Sequence, residues 1–357
     1  MEKMSETDTL KITMIGASGA GKTWYMASMF HKFVYNVVIS LMSLDQLNNP
    51  TENPIIDEKI KTAIRLTREL ETSWNVVRAG KRVGTENLTD LRLHVLYKHN
   101  PIFDIGFIDY AGGALVFDKK ENEPQAIEIQ QTIWESDALL VILDSVEIFN
   151  EDLDTIKANL GLDIIRQIFE SLFINHKMDE FTAAPFVLTK VDELRRLIKT
   201  EEDKVHFIQK CTDLVDPLAS PFIDAGIPTG YFPVSAIGLD AHKPVPEGPY
   251  ENINPLWVEN PILFCADKWM DRESLKLQKA LENLNNRKKS PLHGIIPAYF
   301  TEKLQEEKEK KGTEIKTKIQ FNIEMQGIIH GDYNVEMGVF NTLTGTQQLQ
   351  KCIDEIS

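Results

Sequence analysis

The chain has 357 residues, a hydrophobic content of 42% and a formal net charge of −15. Its length suits one enlarged domain with an accessory segment, and its negative charge argues against a nucleic-acid partner, since clustered Lys and Arg bind phosphate backbones. The sequence has no run of about 18 apolar residues, and its three cysteines match no metal spacing. We therefore expect a cytoplasmic protein with reduced thiols and no direct membrane insertion.

Strand and helix patterns alternate along most of the chain. Apolar runs predict six strands, at residues 10–15, 91–97, 102–108, 138–143, 185–188 and 231–234. Helices are predicted after Thr23, across a helical insertion at about 40–80, and near 152–176, 193–215 and 256–284. This alternation predicts an α/β fold with a doubly wound, mostly parallel sheet.

The two ends of the chain differ from this central part. Residues 1–9 are predicted as a flexible N-terminus, residues 10–285 as the main domain and residues 286–357 as a C-terminal extension. Within the extension, the Lys- and Glu-rich stretch 302–318 predicts a solvated helix or linker. A β-hairpin is then predicted from two alternating patterns, which comprise Ile319, Phe321, Ile323 and Met325 in one strand and Val335, Met337 and Val339 in the other.

A glycine-rich loop follows the first predicted strand. Its sequence is Gly16-Ala17-Ser18-Gly19-Ala20-Gly21-Lys22-Thr23. Backbone N–H groups in such a loop, with a helix N-terminus behind them, bind phosphates. In this pattern Lys22 reaches the β- and γ-phosphates and the Thr23 hydroxyl ligates Mg²⁺. The strand before the loop and the helix after it argue against a chance match in a Gly/Ser-rich turn.

A second element, Asp109-Tyr110-Ala111-Gly112, follows the third predicted strand. An acid at that strand end can hold a Mg²⁺-bound water, and the N–H of Gly112 can reach the γ-phosphate. A plain polar turn is the alternative interpretation.

Two more elements favour guanine. In Thr189-Lys190-Val191-Asp192, the carboxylate can accept from both N–H donors of guanine while the lysine stem covers the base. Adenine lacks these donors and would leave the acid unpaired. The alternative is that Asp192 is a helix N-cap. After the last predicted strand, Ser235-Ala236 offers a backbone N–H to the guanine carbonyl oxygen.

Over about residues 10–285, these motifs in this order (GxxxxGK[ST], DxxG, [NT]KxD and SA) resemble the translation-factor-like class of P-loop GTPases, which includes Ras and Gα. The resemblance implies a Ras-like G domain that binds GTP or GDP with Mg²⁺, and it adds Trp24 and Ser235 to the candidate nucleotide contacts. Thr189 stands where Asn is usual, a tolerated variant. The Asp-Tyr-Ala-Gly-Gly element resembles more closely the bacterial double-GTPase branch of defence systems.

In this class a threonine in the loop before the second strand binds Mg²⁺ and the γ-phosphate. Residues 79–90 are predicted as that loop, so the candidates are Thr85, which we prefer, and Thr89. Arg82 has the spacing of the Gα arginine that neutralises charge as the γ-phosphoryl departs, although it also fits a solvated basic loop.

Gly113 replaces the glutamine that orients water in Ras, which implies slow hydrolysis. The catalytic candidates are thus Lys22, Arg82, Thr85 and Gly112, and the metal candidates are Thr23, Thr85 and Asp109. The leading interpretation is a molecular switch that signals to a protein effector and is accelerated by an activating protein or by homodimerisation. A nucleotide-stabilised interaction protein without turnover and an ATP-using enzyme are the alternatives.

Overall fold

The structure is a computed structural model of the whole chain. It describes residues 8–17, 19–36, 74, 89–97, 100–109, 131–174, 181–244, 249–286, 309–313, 315–324, 326 and 345–357. Apart from residue 74, the predicted insertion at 40–80 lies outside the described residues, as does the second predicted hairpin strand. The chain divides into two compact units, the first comprising Met1–Cys265 with Met337–Ser357 and the second Ala266–Glu336.

The first unit is built on a six-stranded sheet. Its strands are β1 (Asp8–Ile15), β2 (Thr89–Tyr97), β3 (Asn100–Asp109), β4 (Ala138–Asp144), β5 (Ala184–Thr189) and β6 (Thr229–Pro233). They lie in the order β2-β3-β1-β4-β5-β6, with β2 antiparallel to β3 and every other neighbouring pair parallel. The predicted α/β class with a mostly parallel sheet is confirmed. Because β1 starts at Asp8, the predicted N-terminal segment ends two residues too late.

The named helices are α1 (Lys22–Asn36), α2 (Ser145–Asn150), α3 (Leu153–Asn159), α4 (Leu162–Ile174), α5 (Val191–Leu197), α6 (Glu201–Asp224), α7 (Asn260–Asn286) and α8 (Gly345–Ile356). The helix predicted at 152–176 is interrupted at Gly161, whose φ of 62° lies in the left-handed region. The helix predicted at 193–215 is also two helices, because Thr200 and Asp203 form a capping box that starts α6. No helix in the described ranges is long and apolar enough to cross a membrane.

Helices cover both faces of the sheet. On one face, the buried core joins strand residues to α4, α6 and α8; Phe169 and Phe222 meet edge to face there, with ring centroids 4.6 Å apart. Successive strand residues point to opposite faces, so Phe232 follows the core residue Tyr231 but faces the other way. There its ring lies 5.1 Å from that of Phe264 in α7. A sheet buried on both faces explains the continuous apolar runs of β4 and β5.

The first strand of the predicted C-terminal hairpin is wrong. Residues 309–313 and 315–324 are helical, so Ile319, Phe321 and Ile323 do not form a strand. Ile315 and Asn322, seven positions apart, are buried, which is helical spacing, whereas Ile323 is 55% exposed. The same alternation of apolar and polar residues therefore fits a helix with a different buried face. Of the two alternatives predicted for 302–318, a helix or a linker, the described residues 309–313 and 315–318 form a helix.

Helix α8 was not predicted from the sequence. Leu349, Ile353 and Ile356 recur at helical spacing and lie in the core of the first unit. Part of the range assigned to the C-terminal extension thus completes the main core.

Candidate functional site

The predicted site elements meet at one edge of the sheet. Asp109 lies beside Met14 in the β1–β3 register, and Asp144 lies beside Thr189 in the β4–β5 register. Carboxyl ends of parallel strands share an edge, so the C-terminal ends of β1, β3, β4, β5 and β6 lie along the same edge. The strand order reverses at β1, since β3 lies on one side of it and β4 on the other. Ligands of open α/β sheets bind in the crevice at such a reversal.

The glycine loop connects β1 to α1. Gly19 and Gly21 have φ values of 86° and 89°, a left-handed conformation that side chains rarely adopt. Gly16 is required for a different reason, because a Cβ there would lie 2.5 Å from the carbonyl oxygen of Ile142 in β4. Steric constraints therefore require glycine at each of these three positions. The path of the loop depends on its close contact with β4.

Lys22 folds back over this loop. Its side chain is only 7% exposed, and its Nζ donates to the carbonyl oxygens of Gly16 at 2.8 Å and Ala17 at 3.0 Å. Thr23 follows in the first turn of α1. A buried ammonium, a glycine-rich backbone and a hydroxyl at a helix start are the chemical groups that a phosphate chain and its Mg²⁺ require.

Thr189 ties the loop to the middle of the sheet. The hydroxyl, buried at 4% exposure, is within donating distance of the carbonyl oxygens of Ala20, at 2.7 Å, and Leu143, at 3.1 Å. Ser145 Oγ donates to the Thr189 carbonyl oxygen at 2.5 Å. The structure thus brings the first and third predicted elements into direct contact. Within the third predicted element, the Thr189 side chain contacts the backbone of the glycine loop.

Asp192 is buried, and its carboxylate is held by hydrogen bonding. Ser235 Oγ donates to its Oδ1 at 2.5 Å. The same Ser235 oxygen accepts from the N–H groups of Ile237, at 3.3 Å, and Gly238, at 2.8 Å. Burial raises the pKa of Asp192, and the Ser235 hydrogen bond partly opposes that rise. Because Lys190 is the N-cap residue of α5, the alternative that Asp192 caps this helix is wrong.

Lys190 is held by Asp144, the last residue of β4, which was not among the predicted site residues. Lys190 has a left-handed φ of 61°, and its Nζ forms an ion pair with Asp144 Oδ2. The other oxygen of Asp144 accepts from the N–H groups of Val146 and Glu147, so Asp144 also caps α2. The sequence shows that β4 ends in an acid, but it does not show that this acid pairs with Lys190.

Several predicted site residues are not described by the structure, or are described by their backbone alone. Ser18, Arg82, Thr85 and Gly112 lie outside the described residues, and for Asp109 and Thr89 the backbone alone is described. The loop predicted through residue 90 is wrong at its end, because Thr89 begins β2 and pairs with Asp109. A β-branched residue suits a strand there. In the described part of the chain, no three His, Cys, Asp or Glu residues form a metal cluster.

Comparison with known proteins adds no relative. No protein-family model matches the chain, and no curated protein matches it.

Proposed function

We propose that this chain is a cytoplasmic P-loop protein with a Ras-like G domain, which binds guanine nucleotides with Mg²⁺ and acts as a slow GTPase switch. The observation that carries the proposal is the contact of the Thr189 hydroxyl with the carbonyl oxygens of Ala20 and Leu143. Thr189 lies only three residues before the buried Asp192. One short segment thereby connects a candidate phosphate site to a candidate base site.

The phosphate end of the site depends on the glycine loop and Lys22. The N–H groups of residues 16–24 and the Lys22 ammonium would hold the phosphates, displacing the lysine's present bonds to Gly16 and Ala17. Thr23, Asp109 and a switch threonine, Thr85 or Thr89, would hold Mg²⁺. The metal, when bound, neutralises charge on the phosphates.

The base end depends on Asp192 and Lys190. An ionised Asp192 would accept from the ring N–H and the exocyclic amine of guanine, and Ala236, next to Ser235, would face the base carbonyl. The Asp144 ion pair supports Lys190 in a position to cover the base. A buried acid that is left unpaired by adenine discriminates strongly against it.

The test compares binding of GDP, a non-hydrolysable GTP analogue, ATP and xanthosine diphosphate, each with Mg²⁺, to the full chain and to Asp192→Asn. We expect guanine nucleotides to bind wild type and to lose at least about 100-fold in affinity in the variant, because two hydrogen bonds to a charged group are lost. Xanthine has a carbonyl in place of the guanine amine, so the new amide should favour it.

Glu193→Gln is the matched control, because it removes the neighbouring exposed carboxylate and should retain GDP binding. Equal binding of ATP, or indifference to Asp192→Asn, would contradict guanine recognition and favour an ATP-using enzyme.

Arg82 provides the test of turnover. As an arginine finger, it would make single-turnover hydrolysis slower in Arg82→Ala by on the order of 10³-fold while GTP affinity is kept. Arg78→Ala, in the same basic stretch, is the control. An unchanged rate in Arg82→Ala would exclude this role. Stable GTP binding with no hydrolysis in wild type would favour the interaction protein without turnover.

A further inference from the structure

Two aromatic rings from distant parts of the chain meet next to the candidate site. Trp24 lies in the first turn of α1, directly after Thr23, and Tyr250 lies beyond β6. Their rings meet edge to face, with centroids 6.3 Å apart and planes at 88°. Both side chains are half-buried and pack against a small cluster that includes Ile237 and Ala241.

This cluster connects directly to the candidate base site. The N–H of Ile237 donates to Ser235 Oγ, and Ser235 Oγ donates to the Asp192 carboxylate. Ile237, a member of this cluster, is thus linked to the Asp192 carboxylate through two hydrogen bonds. In agreement with this placement, the pKa of Tyr250 is raised first by burial and then by the negative charges of Glu193 and Asp192.

The segment that carries Tyr250 is held in a defined position. Residues 235 and 256 exchange backbone hydrogen bonds of 3.0 and 2.9 Å, and residues 242 and 251 do the same at 3.2 and 2.9 Å. Gly238, with a φ of 90°, lets the two stretches approach, because a Cβ there would lie 2.0 Å from the carbonyl oxygen of Asn254. The ammonium of Lys243 lies 4.8 Å from the centroid of the Tyr250 ring. Tyr250 therefore lies in a stretch that is hydrogen-bonded to residues 235 and 242.

We infer that Trp24 and Tyr250 form an aromatic wall of the nucleotide site, which packs against the nucleoside of the bound guanine nucleotide. This inference rests on the proposed function. Trp24 follows Lys22 by two residues, and the stretch that carries Tyr250 is hydrogen-bonded to Ser235, which donates to Asp192. The pair therefore connects the proposed phosphate end to the proposed base end. Aromatic contact with a base strengthens binding without discriminating between bases. Asp192 supplies specificity, and the wall supplies affinity.

The first experiment measures GDP affinity of the full chain with Mg²⁺. Tyr250→Ala and Trp24→Ala should each weaken binding by about tenfold or more, as expected for loss of one base–aromatic contact. Tyr250→Phe keeps the ring and should stay within about threefold of wild type. The preference for GDP over ADP should be unchanged in all three variants.

The second experiment follows the fluorescence of the five tryptophans on addition of GDP. The GDP-dependent change should be lost in Trp24→Phe and kept in Trp134→Phe, since Trp134 packs against the core on the opposite face of the sheet. This comparison keeps a ring at each position, so it decides the question even where an alanine variant does not fold.

The outcomes separate the two proposals. A wild-type chain that binds no nucleotide overturns both. Guanine-specific binding that is lost in Asp192→Asn, combined with full affinity in Tyr250→Ala and Trp24→Ala and an unchanged Trp24 signal, overturns the aromatic wall alone.

Discussion

The hydroxyl of Thr189 offers a sharp test of whether the glycine loop depends on the end of β5. Thr189→Val keeps the shape of the side chain but removes a buried donor that serves two carbonyl oxygens, those of Ala20 and Leu143. The donor lies at 4% exposure, where water cannot easily replace it. The Ala20 oxygen belongs to the loop itself, so we expect the substitution to affect both folding and phosphate binding.

The size of the effect follows from the number of acceptors left without this donor. Loss of a buried hydrogen-bond partner costs about 1–3 kcal/mol of folding free energy. Because the hydroxyl has a single proton, the substitution removes the equivalent of one hydrogen bond. We therefore expect the free energy of unfolding to fall by about 1–3 kcal/mol. Since the loop loses its tether, GDP affinity should fall by a further factor of about ten, equivalent to one lost bond.

The control is a second buried threonine, which lies two residues before the start of β5. Thr182 is 5% exposed, and its hydroxyl donates to the carbonyl oxygen of Asp137 at 2.9 Å. Urea unfolding and calorimetric GDP binding would be measured on Thr189→Val and Thr182→Val. Similar losses of stability are expected, with loss of GDP affinity in Thr189→Val alone. Equal affinities in the two variants would refute the coupling between Thr189 and the loop.

Three further predictions concern packing and pH. Gly16→Ala places a Cβ 2.5 Å from a backbone oxygen of β4 and should destabilise the chain by about 1–3 kcal/mol in urea unfolding. Gly312→Ala meets its nearest atom only at 4.0 Å, within a helical stretch, and should stabilise by about 0.5–1 kcal/mol; a gain from both changes would contradict the packing argument. Ile353→Ala should cost about 2–5 kcal/mol because α8 buries this side chain completely, and an unchanged unfolding midpoint would remove α8 from the core. Between the ordinary pKa of 3.8 and its raised folded value, Asp192 holds a proton in the folded chain that the unfolded chain has lost. Rising pH therefore lowers stability in that window, a slope that Asp192→Asn should lack. GDP affinity should change in the opposite sense and fall as pH drops through the same window; a pH-independent affinity would show that ionised Asp192 is not required.

Much of the sheet could be predicted because the residue pattern of its buried strands is typical of strands alone. Ala138–Asp144 and Ala184–Thr189 are buried on both faces, and a short apolar run bounded by turns is typical of such strands. Gly19 and Gly21 are recognisable because the left-handed backbone they adopt excludes most side chains. The C-terminal hairpin failed for the opposite reason. The pattern around Ile319 satisfies both strand and helix periods, and the packing of Ile315 and Asn322 decides between them.

The order of the six strands, the glycine loop and the acidic residues at strand ends could be predicted from the sequence, since each depends on neighbouring residues in the chain. Which of these groups are in contact depends on the three-dimensional fold. Thr189 contacts a carbonyl 169 residues away, and Lys190 pairs with an acid 46 residues away. The Trp24–Tyr250 contact likewise joins α1 to the segment after β6. Such contacts depend on the lateral order and register of the strands, which bring distant segments to one edge and which no local pattern of residues specifies.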